Sequence, residues 1–180
     1  MTAVLPSLEN RLNTVQGISY IKYLMEDVRV NYRRDIRAAV DDIVIDSKQG
    51  DISSVPRWIA RILVEEQSVE TQDSDNAIYI SRAFNRERIS KSHDISGLDA
   101  DFYIRINDYI GNLNEKEREN LLVSLNSFVA TRLEKVVKLA AASPISAELK
   151  DKLSTEENQL YSLIHNSASL FRERVQKKVG

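Results

Sequence analysis

The fold of this chain is decided by residues 99–144, DADFYIRINDYIGNLNEKERENLLVSLNSFVATRLEKVVKLAAASP, in which apolar residues recur every three or four positions. Asp99 and Asn114 are the predicted N-caps of two helices, and Glu117 follows Asn114 at the spacing of a capping box. Pro144 is expected to end the second helix. The apolar faces consist of Phe102, Ile106, Ile110 and Leu113 in the first helix and Leu121, Leu125, Phe128, Val129, Leu133, Val136, Val137 and Ala140 in the second.

Further helices are predicted on both sides of this stretch. The segment 78–89 is short and basic, Ser146 is expected to cap a short element, and Ser154 with Glu157 forms a second capping box. The final apolar face consists of Leu160, Ile164, Ala168, Phe171 and Val175. Only 5 Gly and 3 Pro occur in 180 residues, which favours long helices. Four or five helices with short connections predict a helical bundle over residues 77–180.

The region 28–70 has a different pattern. Val28, Val30 and Tyr32 alternate with polar residues, which is typical of a half-buried strand. The β-branched run 43–45 precedes a polar turn and indicates a second strand. The sequence leaves residues 35–40 open between the end of a strand and a helical turn.

A short helix is predicted to complete this region. Residues 53–56 are expected to open it, with a hydroxyl at the cap and Pro56 in the first turn, and Trp58 lies on its apolar face. A module of about 40 residues is near the lower limit for independent folding, so it is expected to dock on another surface.

The domain organisation follows from these patterns. Residues 1–27 form an N-terminal segment with helical spacing, 28–70 a small α+β domain, 71–76 a polar linker, and 77–180 the helical domain. The predicted fold class is therefore mainly α, a helical bundle preceded by a small β-containing domain.

Composition argues against several functional classes. The chain has no Cys and two His, His93 and His165, so thiolate and His-rich metal sites and cysteine nucleophiles are excluded. The glycines are isolated, and adjacent acids such as Asp41-Asp42 and Glu65-Glu66 point in different directions. We therefore expect no catalytic residue, no cofactor and no metal.

The sequence also bears on location. No apolar run approaches the roughly 20 residues that span a bilayer, and residues 1–16 do not resemble a secretory signal. We expect no membrane association and a cytoplasmic, nucleoid-associated protein if the source is archaeal, or a nuclear one if it is eukaryotic.

Three clusters of basic residues stand out in a chain with 25 Lys+Arg and 27 Asp+Glu, a net charge of −2. They are Arg29, Arg33, Arg34 and Arg37; Arg82, Arg86, Arg88 and Lys91; and Arg172, Arg174, Lys177 and Lys178. Cations that converge on one surface bind phosphates, but acids lie within or beside each cluster. One functional hypothesis is therefore a small helical nucleic-acid-binding regulator that uses the segment 82–91.

Four stretches of the chain resemble GINS subunits. In the helical domain of that family a "dFY..l..yi" helix precedes a long helix with an "R..Ki..lA" pattern, and the final helix opens "t.eE..ly". The small β domain of the family carries "vP.WlA..L". The matching residues here are 101–110 (DFYIRINDYI), 132–140 (RLEKVVKLA), 154–161 (STEENQLY) with Phe171-Arg172, and 55–63 (VPRWIARIL).

The order of the two regions is similar to the β-domain-first class of GINS subunits in its compact archaeal form, which is Psf-two-like or Psf-three-like. The resemblance covers about residues 28–175. Arg57 stands where some members have a hydrophobic or acidic residue, and residues 1–27 have no counterpart.

The resemblance implies a function. GINS is a non-enzymatic tetramer that binds the MCM replicative helicase and a Cdc45/RecJ-like protein, and it contacts primase and polymerase components. A β-first subunit is expected to join a helical-first subunit in a 2:2 assembly, and DNA contact is expected to be indirect or weak.

The resemblance also implies roles for particular residues. Phe102, Tyr103, Arg132, Lys135, Tyr161 and Phe171 are expected at or beneath subunit interfaces. Trp58 is expected to anchor the helix of the β domain against its strands. Core packing alone accounts for the aromatic positions almost as well, and both interpretations stay open.

Overall fold

The structure, a computed structural model, describes residues 4–40, 43–71, 74–91 and 94–176. The chain divides into two compact units. The first unit comprises Gly17–Asp75, and the second unit comprises Met1–Gln16 together with Asn76–Gly180.

The described residues form seven helices and five strands. Along the first part of the chain they are α1 (Val4–Met25), β1 (Asp27–Tyr32), β2 (Ile36–Val40), β3 (Ile43–Ser47), β4 (Ile52–Pro56), α2 (Arg57–Glu65) and β5 (Val69–Thr71). The helices that follow are α3 (Ser74–Ile89), α4 (Phe102–Gly111), α5 (Glu115–Ala142), α6 (Ala147–Asp151) and α7 (Thr155–Gln176). This confirms a mainly α chain in which a small β-containing region precedes a set of helices.

The strands of the first unit form two antiparallel sheets. The order in the larger sheet is β4-β1-β5, and β2 pairs with β3. Val30 and Tyr32 of β1 are buried while Arg29 is exposed, so the alternation in the sequence is confirmed as a half-buried strand. Residues 36–40, which the sequence left open, are a strand because they pair with 43–47.

One sequence prediction in this unit is wrong. Residues 52–56 are strand β4 and do not open a helix, since Val55 pairs with Val28 and is buried. Pro56 is tolerated because it ends an edge strand, where its missing N–H costs no ladder bond. Helix α2 then starts at Arg57 with no side-chain cap.

The core of the first unit lies between its sheets and α2. It comprises Val30, Tyr32, Ile45, Val55, Ile59, Ala60 and Val69. Trp58 is half-buried and packs against this core from α2. The tyrosine hydroxyl of Tyr32 lies 3.1 Å from that of Ser53, which satisfies a polar group at the edge of the core.

The second unit has two apolar cores, both lined by α5. The first comprises Ile80, Ala83, Leu98, Phe102, Ile106, Ile110, Leu125 and Phe128, and the second comprises Ile95, Val136, Ala140, Leu153 and Tyr161. In the first core the rings of Phe102 and Phe128 are 5.4 Å apart, and Phe84 lies 4.7 Å from Phe128. Such tilted aromatic contacts add to the hydrophobic gain from burial.

Most of the predicted helix ends are confirmed. Asn114 accepts from the backbone N–H of Glu117 at 3.0 Å, and Ser154 accepts from that of Glu157 at 3.2 Å. The Asp99 prediction is wrong, because Asp101 occupies the N-cap position of α4 and makes no side-chain cap bond. Asp99 instead accepts from the Tyr79 hydroxyl at 2.8 Å.

Replacing Phe102 or Phe128 with Ala should lower the free energy of unfolding by about 3–5 kcal/mol, because each ring fills a closed core. Phe171→Ala provides the control, since that ring is 69% exposed and should change stability little. Denaturant unfolding of the three variants measures the difference. Similar losses at all three positions would contradict this description of the core.

Candidate functional site

A buried ionic cluster lies in the middle of the second unit. Arg132 on α5 donates to Glu87 on α3 at 2.7 Å and binds both carboxylate oxygens of Glu157 on α7, at 2.5 and 2.7 Å. Lys135 donates to the other oxygen of Glu87 at 2.6 Å. The side chains of Arg132 and Glu87 are each 1% exposed. Two cations and two anions therefore balance inside the protein, which is the condition under which buried charges are tolerated.

Neutral groups complete this cluster. The side-chain hydroxyl of Ser96 donates to Glu87 at 2.7 Å, and the backbone carbonyl of Ser96 accepts from Arg132 at 2.8 Å. Tyr103 on α4 donates its hydroxyl hydrogen to Glu157 at 2.9 Å, and Lys135 donates to Ser90 at 2.5 Å. The four charged members thus have at least two partners each, and the cluster connects α3, α4, α5, α7 and the segment before α4.

The electrostatics of the cluster favour its charged form. Burial raises the pKa of Glu87, but the hydrogen bonds from Lys135 and Ser96 and the charge of Arg132 outweigh it, so the pKa lies below its usual value. Burial lowers the pKa of Arg132, while its bonds to Glu157 raise it by more. The contribution of Glu87 is therefore present above the pKa of the unfolded chain and is lost as the pH falls through the folded value.

The geometry assigns a structural task to this cluster. Its donors and acceptors are directed at one another and come from different helices, so it holds these helices together. Across the part of the chain that the structure describes, no group of three or more His, Cys, Asp or Glu side chains has the arrangement to hold a metal ion.

The predicted interface residues fall into two groups. Phe102, Arg132, Lys135 and Tyr161 are buried by their own chain, and Tyr103 is half-buried. Phe171 alone of the six is exposed. For the four buried residues, the prediction that remains is that they lie beneath a surface that a partner covers.

Sequence reasoning missed that Glu87 and Glu157 are the partners of Arg132. Glu87 appeared as an acid among the arginines of 82–91, although it falls on the apolar face of α3 with Ile80 and Ala83. A charged residue on an apolar helical face is a signal that it has a buried partner, and this signal was available in the sequence.

The basic clusters differ in their partners. Arg82, Arg86, Arg88 and Lys91 are all exposed, and none has an acid within ion-pair distance in the described residues. In the first unit, by contrast, Arg33, Arg34 and Arg37 pair with Glu70, Glu66 and Asp46. The cations of the predicted nucleic-acid segment therefore have no acidic partner in the described residues, and Arg88 donates to the neutral Asn85 side chain at 3.1 Å, whereas most of the first cluster is paired with acids.

Other sequence candidates add no chemistry. Nδ1 of His165 lies 3.1 Å from the carbonyl oxygen of Ala140, so this ring serves as a packing contact between α7 and α5. His93, Asp41-Asp42 and Lys177-Lys178 lie outside the described residues.

An exposed apolar surface runs along α5. The α5 stripe comprises Leu122, Val129, Leu133 and Val137, which are 36–45% exposed. These residues share one face of the helix because they are separated by four or seven positions. Two of them, Val129 and Leu133, also line an open cleft of about 170 Å³ together with Tyr103, Val136, Glu156, Glu157 and Leu160.

Comparison with known proteins gives no relative: no family model matches this chain, and no curated protein matches it significantly. No helix among the described residues has the length and apolar character needed to cross a membrane.

Arg132→Met should lower the free energy of unfolding by about 3–5 kcal/mol, because Met fills similar space but leaves Glu157 buried without a cation and Glu87 with Lys135 as its one remaining cation. The same substitution at Arg37, which pairs with Asp46 on an exposed surface, is the control and should have little effect. Denaturant unfolding at neutral pH gives both values. Equal stability of the two variants would show that the cluster does not support the fold.

Proposed function

We propose that this chain is a non-enzymatic scaffold subunit of the GINS type, which acts in DNA replication by holding the MCM helicase to its partner proteins. The observation that carries the proposal is the exposed α5 stripe, whose four apolar side chains lie on one face of the longest helix. A surface of this kind is typical of a subunit that binds a second helical protein.

The energetics of the α5 stripe support this proposal. Its four side chains retain 36–45% of their exposure. Complete burial of a large aliphatic side chain yields about 1.5–3 kcal/mol, so covering the stripe gives roughly 2–5 kcal/mol. That gain is enough to orient a partner helix, while further contacts would be needed for a stable complex.

The arrangement of the chain also supports the proposal. A small β-containing unit precedes a helical unit, in the order that the resemblance to β-first GINS subunits implies. The proposed partner on the α5 stripe is a helical-first subunit, in a 2:2 assembly. The MCM helicase, a Cdc45/RecJ-like protein, and primase and polymerase components would bind the assembled complex, in the cytoplasm of an archaeal cell or the nucleus of a eukaryotic one.

Mixing this chain with a helical-first GINS subunit from the same source should give a 2:2 species in native mass spectrometry. Leu133→Asp should abolish that species because it places a charge in the middle of the α5 stripe. Val123→Asp is the matched control, since Val123 is 72% exposed on a different face of α5. A mixture that remains separate subunits would overturn the proposal, as would loss of the complex in both variants alike.

The exposed cations of the segment 82–91 favour a second candidate function, direct binding of nucleic acid by this chain. Arg82, Arg86 and Arg88 lie on α3 and Lys91 just beyond its end, and none is paired with an acid in the described residues. When such cations neutralise phosphates, the counterions condensed on the nucleic acid are released, and this release is the main source of affinity in non-specific binding.

If α3 binds DNA, the triple variant R82Q/R86Q/R88Q should weaken binding to a fluorescein-labelled 30-base-pair duplex. Arg82 and Arg86 lie on one face of α3 and Arg88 lies more than 100° away from them, so the slope of log K against log salt should fall by roughly 2, the loss expected for two phosphate contacts. R33Q/R34Q/R37Q removes three arginines that already have acidic partners, and should change the slope little. Anisotropy titrations between low and moderate salt measure both; equal slopes in the two variants would exclude α3 as the contact.

A further inference from the structure

One face of α7 forms a second stripe, which is exposed along most of its length; its first two members, Glu156 and Leu160, are half-buried and line the open cleft beside α5. Residues 156, 160, 163, 167, 170, 171 and 174 fall within about 60° of one direction on a helix with 3.6 residues per turn. The α7 stripe therefore comprises Glu156, Leu160, Leu163, Ser167, Leu170, Phe171 and Arg174.

The other side of α7 holds this helix to its own unit. Glu157 and Tyr161 are buried, and the Tyr161 hydroxyl donates to the carbonyl of Ser143 at 2.8 Å. Near the end of the helix Arg172 donates to the carbonyl of Ala141. These contacts fix the orientation of α7, so Leu170 and Phe171, which are 57% and 69% exposed, are directed away from the unit by its packing.

The α7 stripe has opposite charges at its two ends. Glu156 lies in the first turn and Arg174 in the last, and neither has an opposite charge within ion-pair distance in the described residues. Burial raises the pKa of Glu156, and the nearby carboxylates of Glu157 and Asp101 raise it further. The half-buried carboxylate of Glu156 is therefore a position where an added cation is favourable.

We propose that two copies of this chain pair through their α7 stripes, side by side and antiparallel. If the two-fold axis passes between the two helices at the level of residue 165, Glu156 of each copy faces Arg174 of the other. Leu160 then lies opposite Leu170, and Leu163 opposite Ser167. The same surface serves both copies, as a two-fold symmetric interface requires.

The charges select the antiparallel arrangement over a parallel one. Parallel helices would place Glu156 beside its own copy and Arg174 beside its own copy, two repulsive pairs. The antiparallel arrangement replaces them with two attractive pairs and also opposes the two helix dipoles. The inference concerns only contact between two copies and does not depend on the helicase partners proposed above.

Charge reversal tests the pairing. The unaltered chain should dimerise in sedimentation-equilibrium experiments at up to about 100 μM, a range that detects even weak association. Arg174→Glu should raise the dimer dissociation constant by about tenfold or more, because each interface then contains two carboxylate pairs. The double variant E156R/R174E restores opposite charges and should recover dimerisation. Arg118→Glu, an exposed reversal on α5, is the control.

Cross-linking tests the direction of the helices. Because the chain has no Cys, an introduced Cys is the only thiol that can react. In the antiparallel pair, Ser167 lies about 6 Å along the axis from its copy, and Leu170 lies about 15 Å from its copy. Ser167→Cys should therefore cross-link to itself with a short bis-maleimide, and Leu170→Cys should not. Rapid self-linking of both would indicate parallel helices and overturn the proposal.

The remaining outcomes also decide the proposal. A monomer at every concentration tested would overturn it, and so would a double variant that folds, as judged by circular dichroism, but stays monomeric while the unaltered chain dimerises. Failure here is distinct from failure of the helicase scaffold. A chain that stays monomeric alone but still forms the 2:2 complex with the helical-first subunit would retain that function and reject only the α7 pairing.

Discussion

The arrangement of the helical unit depends on how the buried positive charge of Arg132 is balanced. Moving a guanidinium into the interior costs several kcal/mol, and only a matched set of carboxylates and hydrogen bonds recovers it. Glu87 and Glu157 supply the opposite charges from two other helices, and Tyr103 and Ser96 supply neutral contacts. All these hydrogen bonds form together only when α3, α4, α5 and α7 are in the right relative positions. The cluster therefore favours one arrangement of the four helices over alternatives with similar apolar packing.

The position of the cluster explains why α5 can line two separate cores. Phe128 lies in the first core and Val136 in the second, and Arg132 is midway between them on the same face of the helix. Apolar packing alone would allow α5 to slide between the two cores, since leucine and valine contacts are not directional. The bidentate contact with Glu157 fixes the register of α5 against α7.

Local signals in the sequence account for what could be predicted. Asn114, Glu117 and Pro144 define α5 because capping and the lack of a proline N–H act within a few residues. Contacts between distant residues account for the rest. The partners of Arg132 are 45 and 25 positions away; the local pattern of α3 indicates that Glu87 is a buried charge, but it does not identify Arg132 as its partner. Residues 52–56 look like a helix start locally, but pairing with β1 makes them a strand.

The helical unit buries charged side chains and exposes apolar ones. Four charged side chains are buried, while leucine, valine and phenylalanine side chains on α5 and α7 are exposed. Fold stability alone does not favour this exchange, because well-packed apolar residues would replace a buried ion pair at little or no loss. The arrangement is consistent with a subunit whose interior specifies one rigid arrangement of helices. That rigidity is useful when the exposed α5 and α7 stripes must meet their partners in a fixed orientation, because a preorganised surface loses less entropy on binding.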